Sequence, residues 1–97
     1  MEIWRPPVQA PAVRAIKTFL RWRYNNSTVP TQELLRRFLN ESAEGAQVSL
    51  IAWASYLRKV RRLPSRQIER NLQAVVGFFS YLHEQGKVPW RLEMVRV

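Results

Sequence analysis

The chain has no cysteine, three glycines, one histidine and only seven acidic residues among 97. Without cysteine, neither a disulfide framework nor a thiolate metal site can form. The three glycines are isolated, so there is no glycine-rich loop to cradle a phosphate. The lone histidine, His83, lies beside an apolar stripe, with no Ser, Cys or acidic triad at a suggestive spacing. It reads as a core-edge histidine and not as a catalytic base. The seven acids are scattered and make no carboxylate cluster for a metal ion. No apolar run approaches the ~18 residues of a transmembrane helix. The opening MEIWRPPVQAPAV has no basic start followed by an apolar core, so no secretory signal is expected. These absences argue against an enzyme, a bound cofactor, a small-molecule ligand and a membrane span. Cytoplasmic location is the expectation that fits a cysteine-free chain.

What is present points elsewhere. Apolar residues make up 46% of the chain, enough for a modest core in one small domain. Sixteen Lys and Arg oppose seven Asp and Glu, a formal net charge of +9. Thirteen of the sixteen are Arg, whose planar fork suits phosphate. A charge this large on a domain this small points to an anionic partner, nucleic acid above all, against the plainer reading of a solvated surface. An anionic membrane is a weaker candidate, because every apolar stripe is needed for the core.

The periodicity predicts four helices and no strand. Residues 1–11 hold three prolines and read as an irregular lead-in, with Trp4 a candidate to fold back on the core. A first helix is expected from Pro11 or Ala12 to Tyr24, with Val13, Ile16, Phe19 and Leu20 inward and Arg14, Lys17 and Arg21 along another side. Asn25-Asn26-Ser27 signals a turn. A second helix is expected to begin between Thr28 and Thr31, burying Leu34, Leu35, Phe38 and Leu39, and to stop at Gly45 in a left-handed conformation. Ser49 is expected to cap a third helix with Leu50, Trp53, Ala54, Leu57 and Val60 inward. Pro64 ends that segment, Ser65 is expected to cap the fourth helix, and Gly86 closes it. Residues 87–97 read as a tail, in which Leu92–Val95 either forms a short fifth helix or packs.

The fourth helix has two opposed faces. Ile68, Leu72, Val75, Phe79 and Leu82 repeat at helical spacing and belong to a core. Arg66, Arg70, Gln73 and Gly77 repeat at the same spacing opposite them, a basic and slim face that a groove or backbone can approach. Just upstream, Arg58, Lys59, Arg61 and Arg62 lead into Arg66 and Arg70. Six cations thus fall within thirteen residues, against one acid, Glu69. Such groups neutralise phosphates and release counterions. The start of the helix adds unpaired amides and a positive dipole end. Gln73, one turn further in, is placed to probe a base edge. The plainer alternative is a helix junction with solvated charges. Trp22, Trp53, Phe78, Phe79 and Tyr81 are read as core before they are read as stacking platforms.

This helix resembles the last helix of the core-binding domain of tyrosine recombinases, the phage-integrase family. The residues that carry the likeness are Leu63-Pro64-Ser65, Ile68, Arg70, Leu72, Ala74, Phe79, Tyr81-Leu82 and Gly86. The family pattern is LS, a few residues, R-x-L-S-A-L-R-x-F-F-x-Y-L, then glycine. Phe19-Leu20, Thr28, Leu34-Leu35, Phe38 and Tyr56-Leu57-Arg58 resemble its earlier helices more loosely, and Val88-Pro89-Trp90 is similar to integron-type members. Gln73 stands where the family has Ser, and Val76 where it has Arg. The resemblance implies a SAM-like orthogonal bundle that forms one half of a clamp on double-stranded DNA. It also implies other recombinase protomers as partners of the full-length protein, with the catalytic residues on a separate C-terminal domain. On that reading the chain is a fragment without catalysis, residues 12–86 are the core-binding domain, and residues 87–97 lead toward the absent part. Tyr24, Tyr56 and Tyr81 are not nucleophiles. The candidate DNA contacts are Arg36, Arg37, Lys59, Arg61, Arg62, Ser65, Arg66, Arg70 and Gln73. The rival expectation is a SAM-like module that binds other proteins.

Overall fold

The computed structural model describes residues 10–25 and 28–96. Trp4, Asn26, Ser27 and the lead-in up to residue 9 lie outside the described residues. The four expected helices form: α1 (Ala10–Tyr24), α2 (Thr31–Leu39), α3 (Ala43–Lys59) and α4 (Ser65–Glu84). No strand occurs among the described residues. The fold is an all-α four-helix bundle.

The apolar stripes meet as their spacing requires. Ile16, Phe19 and Leu20 of α1, Leu34, Leu35 and Phe38 of α2, Leu50, Trp53 and Leu57 of α3, and Ile68, Leu72, Val75 and Phe79 of α4 lose nearly all their solvent exposure. α1 is the central element, packed against all three other helices. A run of aromatic rings ties the layers together. Phe19 meets Trp53 at 5.1 Å and Phe38 at 5.2 Å between ring centres, and Phe38 meets Phe79 at 5.0 Å. These tilted and edge-on contacts add to the burial of large apolar surfaces. Trp53, Phe78 and Phe79 are therefore core rings, and Trp22 and Tyr81 pack against the core half-buried.

Several helix ends differ from expectation. α1 begins at Ala10, earlier than Pro11 or Ala12, so the lead-in is shorter than residues 1–11. α2 stops at Leu39 and not at Gly45. Asn40 ends it: its side-chain amide donates to the Arg36 carbonyl and its backbone N–H to the Arg37 carbonyl, which competes with another helical turn. Ser42, not Ser49, then caps α3 by accepting the Gly45 N–H at 3.0 Å. Gly45 lies in the first turn of α3, where an added Cβ would come within 3.1 Å of that hydroxyl. Ser49 is an interior residue whose hydroxyl donates to the Gly45 carbonyl. Val60, expected inside, is 65% exposed because α3 has already ended at Lys59.

The tail belongs to the core. Val88, Trp90 and Leu92 point inward in alternation and are buried, without a fifth helix. The Trp90 ring packs edge-on to Phe38 at 5.6 Å, and its indole N–H donates to the Glu41 carbonyl. Gln47 and the Glu93 backbone exchange two hydrogen bonds, at 3.0 and 2.8 Å. His83 donates from Nδ1 to the Val88 carbonyl, which makes it the latch between α4 and the tail. Gly86 takes a φ of +74°, the left-handed turn that lets the Lys87 N–H reach back to the Leu82 carbonyl. The packed unit therefore runs beyond residue 86, through Leu92.

A second polar hub fixes the far end of α1. The Glu41 carboxylate accepts from Arg23 at 3.0 Å and from the Tyr24 hydroxyl at 2.5 Å. The Arg23 guanidinium also lies over the Tyr24 ring, 5.0 Å from its centre. Burial, and then the hydrogen bond to Glu41, push the Tyr24 hydroxyl above its ordinary pKa of 10.0.

Candidate nucleic-acid interface

The turn from α3 into α4 is built from basic residues. α3 widens as it ends: the Val60 and Arg61 N–H groups both donate to the Tyr56 carbonyl. Arg62 then takes a φ of +54°, and the Leu63 N–H turns back to the Leu57 carbonyl at 3.0 Å. Half-buried Leu63 packs against the core and anchors the turn. A left-handed residue with a side chain costs roughly 1–2 kcal/mol, and glycine would remove that cost. An arginine is held here instead, at the apex of the basic turn.

Pro64 stands at the N-cap of α4, its carbonyl accepting from the Gln67 and Ile68 N–H groups, each at 3.0 Å. It makes no side-chain cap bond. Ser65 is the first helical residue and not the cap. The Ser65 and Arg66 amides are thus left over at the positive end of the helix dipole.

From that start, Arg66, Arg70, Gln73 and Gly77 share one exposed face, opposite the buried Ile68, Leu72, Val75 and Phe79. Lys59, Arg61, Arg62 and Ser65 at the junction are exposed as well. None of these cations is ion-paired among the described residues. Gly77 is the notable member. A methyl group placed there would meet no heavy atom within 4 Å. Nothing inside the fold requires a glycine at this position, and glycine in a helix interior costs about 1 kcal/mol relative to alanine.

Arg36 and Arg37, the other expected contacts, are exposed on α2, where both engage Glu33, at 3.5 and 4.0 Å. They form a cluster of their own that is partly neutralised, unlike the junction. A further ion pair joins Arg23 to Glu41.

Sequence reasoning missed a neighbouring feature. The side of α1 carrying Arg14 and Thr18 faces the start of α4, and with Trp53 and Arg61 it lines a cleft of about 190 Å³ that also takes in Gln67 and Asn71. The i, i+4 spacing of Gln67 and Asn71, beside the core stripe of α4, was the available signal.

Among the described residues, no group of His, Asp and Glu is placed to hold a metal ion, and no helix is long and apolar enough to cross a membrane. No known family, curated protein or solved structure matches this chain.

Proposed function

We propose that the chain is a DNA-binding module that grips duplex DNA through the α3–α4 junction and the outer face of α4. The observation that carries this reading is the composition of one continuous surface: unpaired cations at the turn, Arg66, Arg70 and Gln73 along the helix, and a glycine at Gly77 for which the fold has no use. Guanidinium groups and open helix amides suit phosphate oxygens, and a side-chain-free position lets a groove wall come close.

Within this reading, the chain is the core-binding part of a tyrosine recombinase, one half of a clamp whose catalytic residues reside on another domain. The support is the likeness of residues 63–86, in which the family's apolar positions are the buried ones here and its closing glycine is Gly86. The three tyrosines carry no nucleophile role: Tyr24 is bonded to Glu41, the Tyr56 ring lies tilted against Trp22 at 5.8 Å, and Tyr81 packs on the core.

The test is a salt titration of duplex binding by the Arg66→Ala, Arg70→Ala double variant. Each phosphate contact adds about 0.9 to the slope of log K against log salt, so the slope should fall by roughly 2 and affinity with it. An unchanged slope would remove this face from the interface. A protein partner is the second reading, favoured by Val48 and Ile51, which lie one turn apart on α3 and are 57% and 49% exposed. It predicts association that ignores salt and is lost in Ile51→Ser.

A further inference from the structure

We propose that the cleft between α1, the end of α3 and the start of α4 is a phosphate-binding site. Its walls carry Arg14 and Thr18 from α1, Arg61 from the junction, and Gln67 and Asn71 from α4, with Trp53 below them. None of the described residues that line it is acidic. Arg14 and Arg61 have no ion-pair partner among the described residues, and the amides of Gln67 and Asn71 have no hydrogen-bond partner there. Four side chains able to donate thus converge on one small space with their donors uncommitted.

Trp53 supplies the independent observation. The residue is fully buried, and its indole N–H has no hydrogen-bond partner among the described residues. A buried donor left unmade is costly, and native folds rarely keep one without an acceptor. An acceptor entering this cleft comes among two Arg, one Gln and one Asn side chain, with the Trp53 ring in the wall beside it. Guanidinium pairs select oxyanions with several acceptor oxygens, and phosphate supplies them in the geometry that Arg forks match. A volume of about 190 Å³ admits a phosphate group with some water.

The phosphate has two sources of the same chemistry, a nucleic-acid backbone or a free anion. The backbone source rests on the DNA reading above; the site itself does not. Arg61 lies at once in the cleft and in the basic junction, so a strand crossing the α4 face comes within reach of it.

The experiment follows the Trp53 indole N–H by NMR in the intact chain, assigned through its ring contact with Phe19. Inorganic phosphate is titrated at fixed ionic strength against chloride, and then a short duplex is titrated. A saturable shift with phosphate, absent with chloride and weakened roughly tenfold in Arg14→Gln, is the expected result. Arg14 is exposed, so that variant retains the core. A duplex that shifts the same signal assigns the site to backbone phosphate. A shift with phosphate alone, with the duplex silent everywhere, keeps the site and overturns the DNA reading. A duplex that moves Arg66, Arg70 and Gln73 but leaves the indole still in both titrations overturns the cleft and spares the DNA reading. Silence in every arm overturns both.

Discussion

Replacing Gly77 separates what the fold needs from what a partner needs. In α4 this residue is exposed and mid-helix, and a Cβ there has no neighbour within 4 Å. Gly77→Ala therefore introduces no clash and removes the backbone freedom that the unfolded chain enjoys at glycine. The expected gain is about 1 kcal/mol. For a domain near 100 residues, that gain moves the thermal midpoint up by roughly 4–8 °C, read by circular dichroism at the helical band. A midpoint that stays or falls would mean that the glycine serves an internal contact, and the argument for an approaching partner would fail. Gly77→Leu carries the second half of the reasoning. Leucine is also a good helix former and leaves the charge unchanged, so the variant should stay at least as stable as the parent. If a groove wall approaches this face, its side chain should weaken duplex binding by about tenfold, or roughly 1.4 kcal/mol. A stabilised Gly77→Leu that binds the duplex with unaltered affinity would refute the close approach while leaving the phosphate contacts standing.

Further outcomes follow from other parts of the fold. Trp90→Ala should destabilise by about 3–5 kcal/mol in urea unfolding, because its ring is buried against Phe38 and Phe79. Ser42→Ala should cost about 1 kcal/mol through loss of the α3 cap, measured the same way. Tyr24→Phe removes the bond to Glu41, at about 1–2 kcal/mol. The Tyr24 hydroxyl is held above its ordinary 10.0 in the fold, so its contribution is complete below pH 10 and falls as pH rises further, when only the unfolded chain ionises there. The difference between wild type and Tyr24→Phe should accordingly shrink above pH 10. Arg62→Gly should raise stability by roughly 1 kcal/mol by relieving the left-handed arginine, and should lower duplex affinity if that arginine is kept for a phosphate.

The helices were legible because each one carries its own apolar period. Ile68, Leu72, Val75, Phe79 and Leu82 are buried on schedule, and Arg66, Arg70, Gln73 and Gly77 are exposed on schedule. The boundary between α2 and α3 was not legible. Gly45 and Ser49 are ordinary stop and start residues, but Asn40 and Ser42 compete for the same roles a few residues earlier. The earlier start lengthens α3 and buries Ala46 in the core as well. The tail misled for a related reason. Val88, Trp90 and Leu92 alternate as a strand would, yet no strand lies beside them; their partners are the rings of helices distant in sequence.

The sequence by itself determined the class of fold, the buried stripe of each helix and the outward basic face of α4. All of these follow from local periodicity and charge. Tertiary structure alone decided that the tail is part of the core, that Glu41 joins α1 to the segment before α3, and that Arg14, Trp53, Arg61, Gln67 and Asn71 share one cleft. Those arrangements join residues up to 57 positions apart, from Arg14 to Asn71. A helical period governs only neighbours three or four residues away, so packing had to bring the rest together.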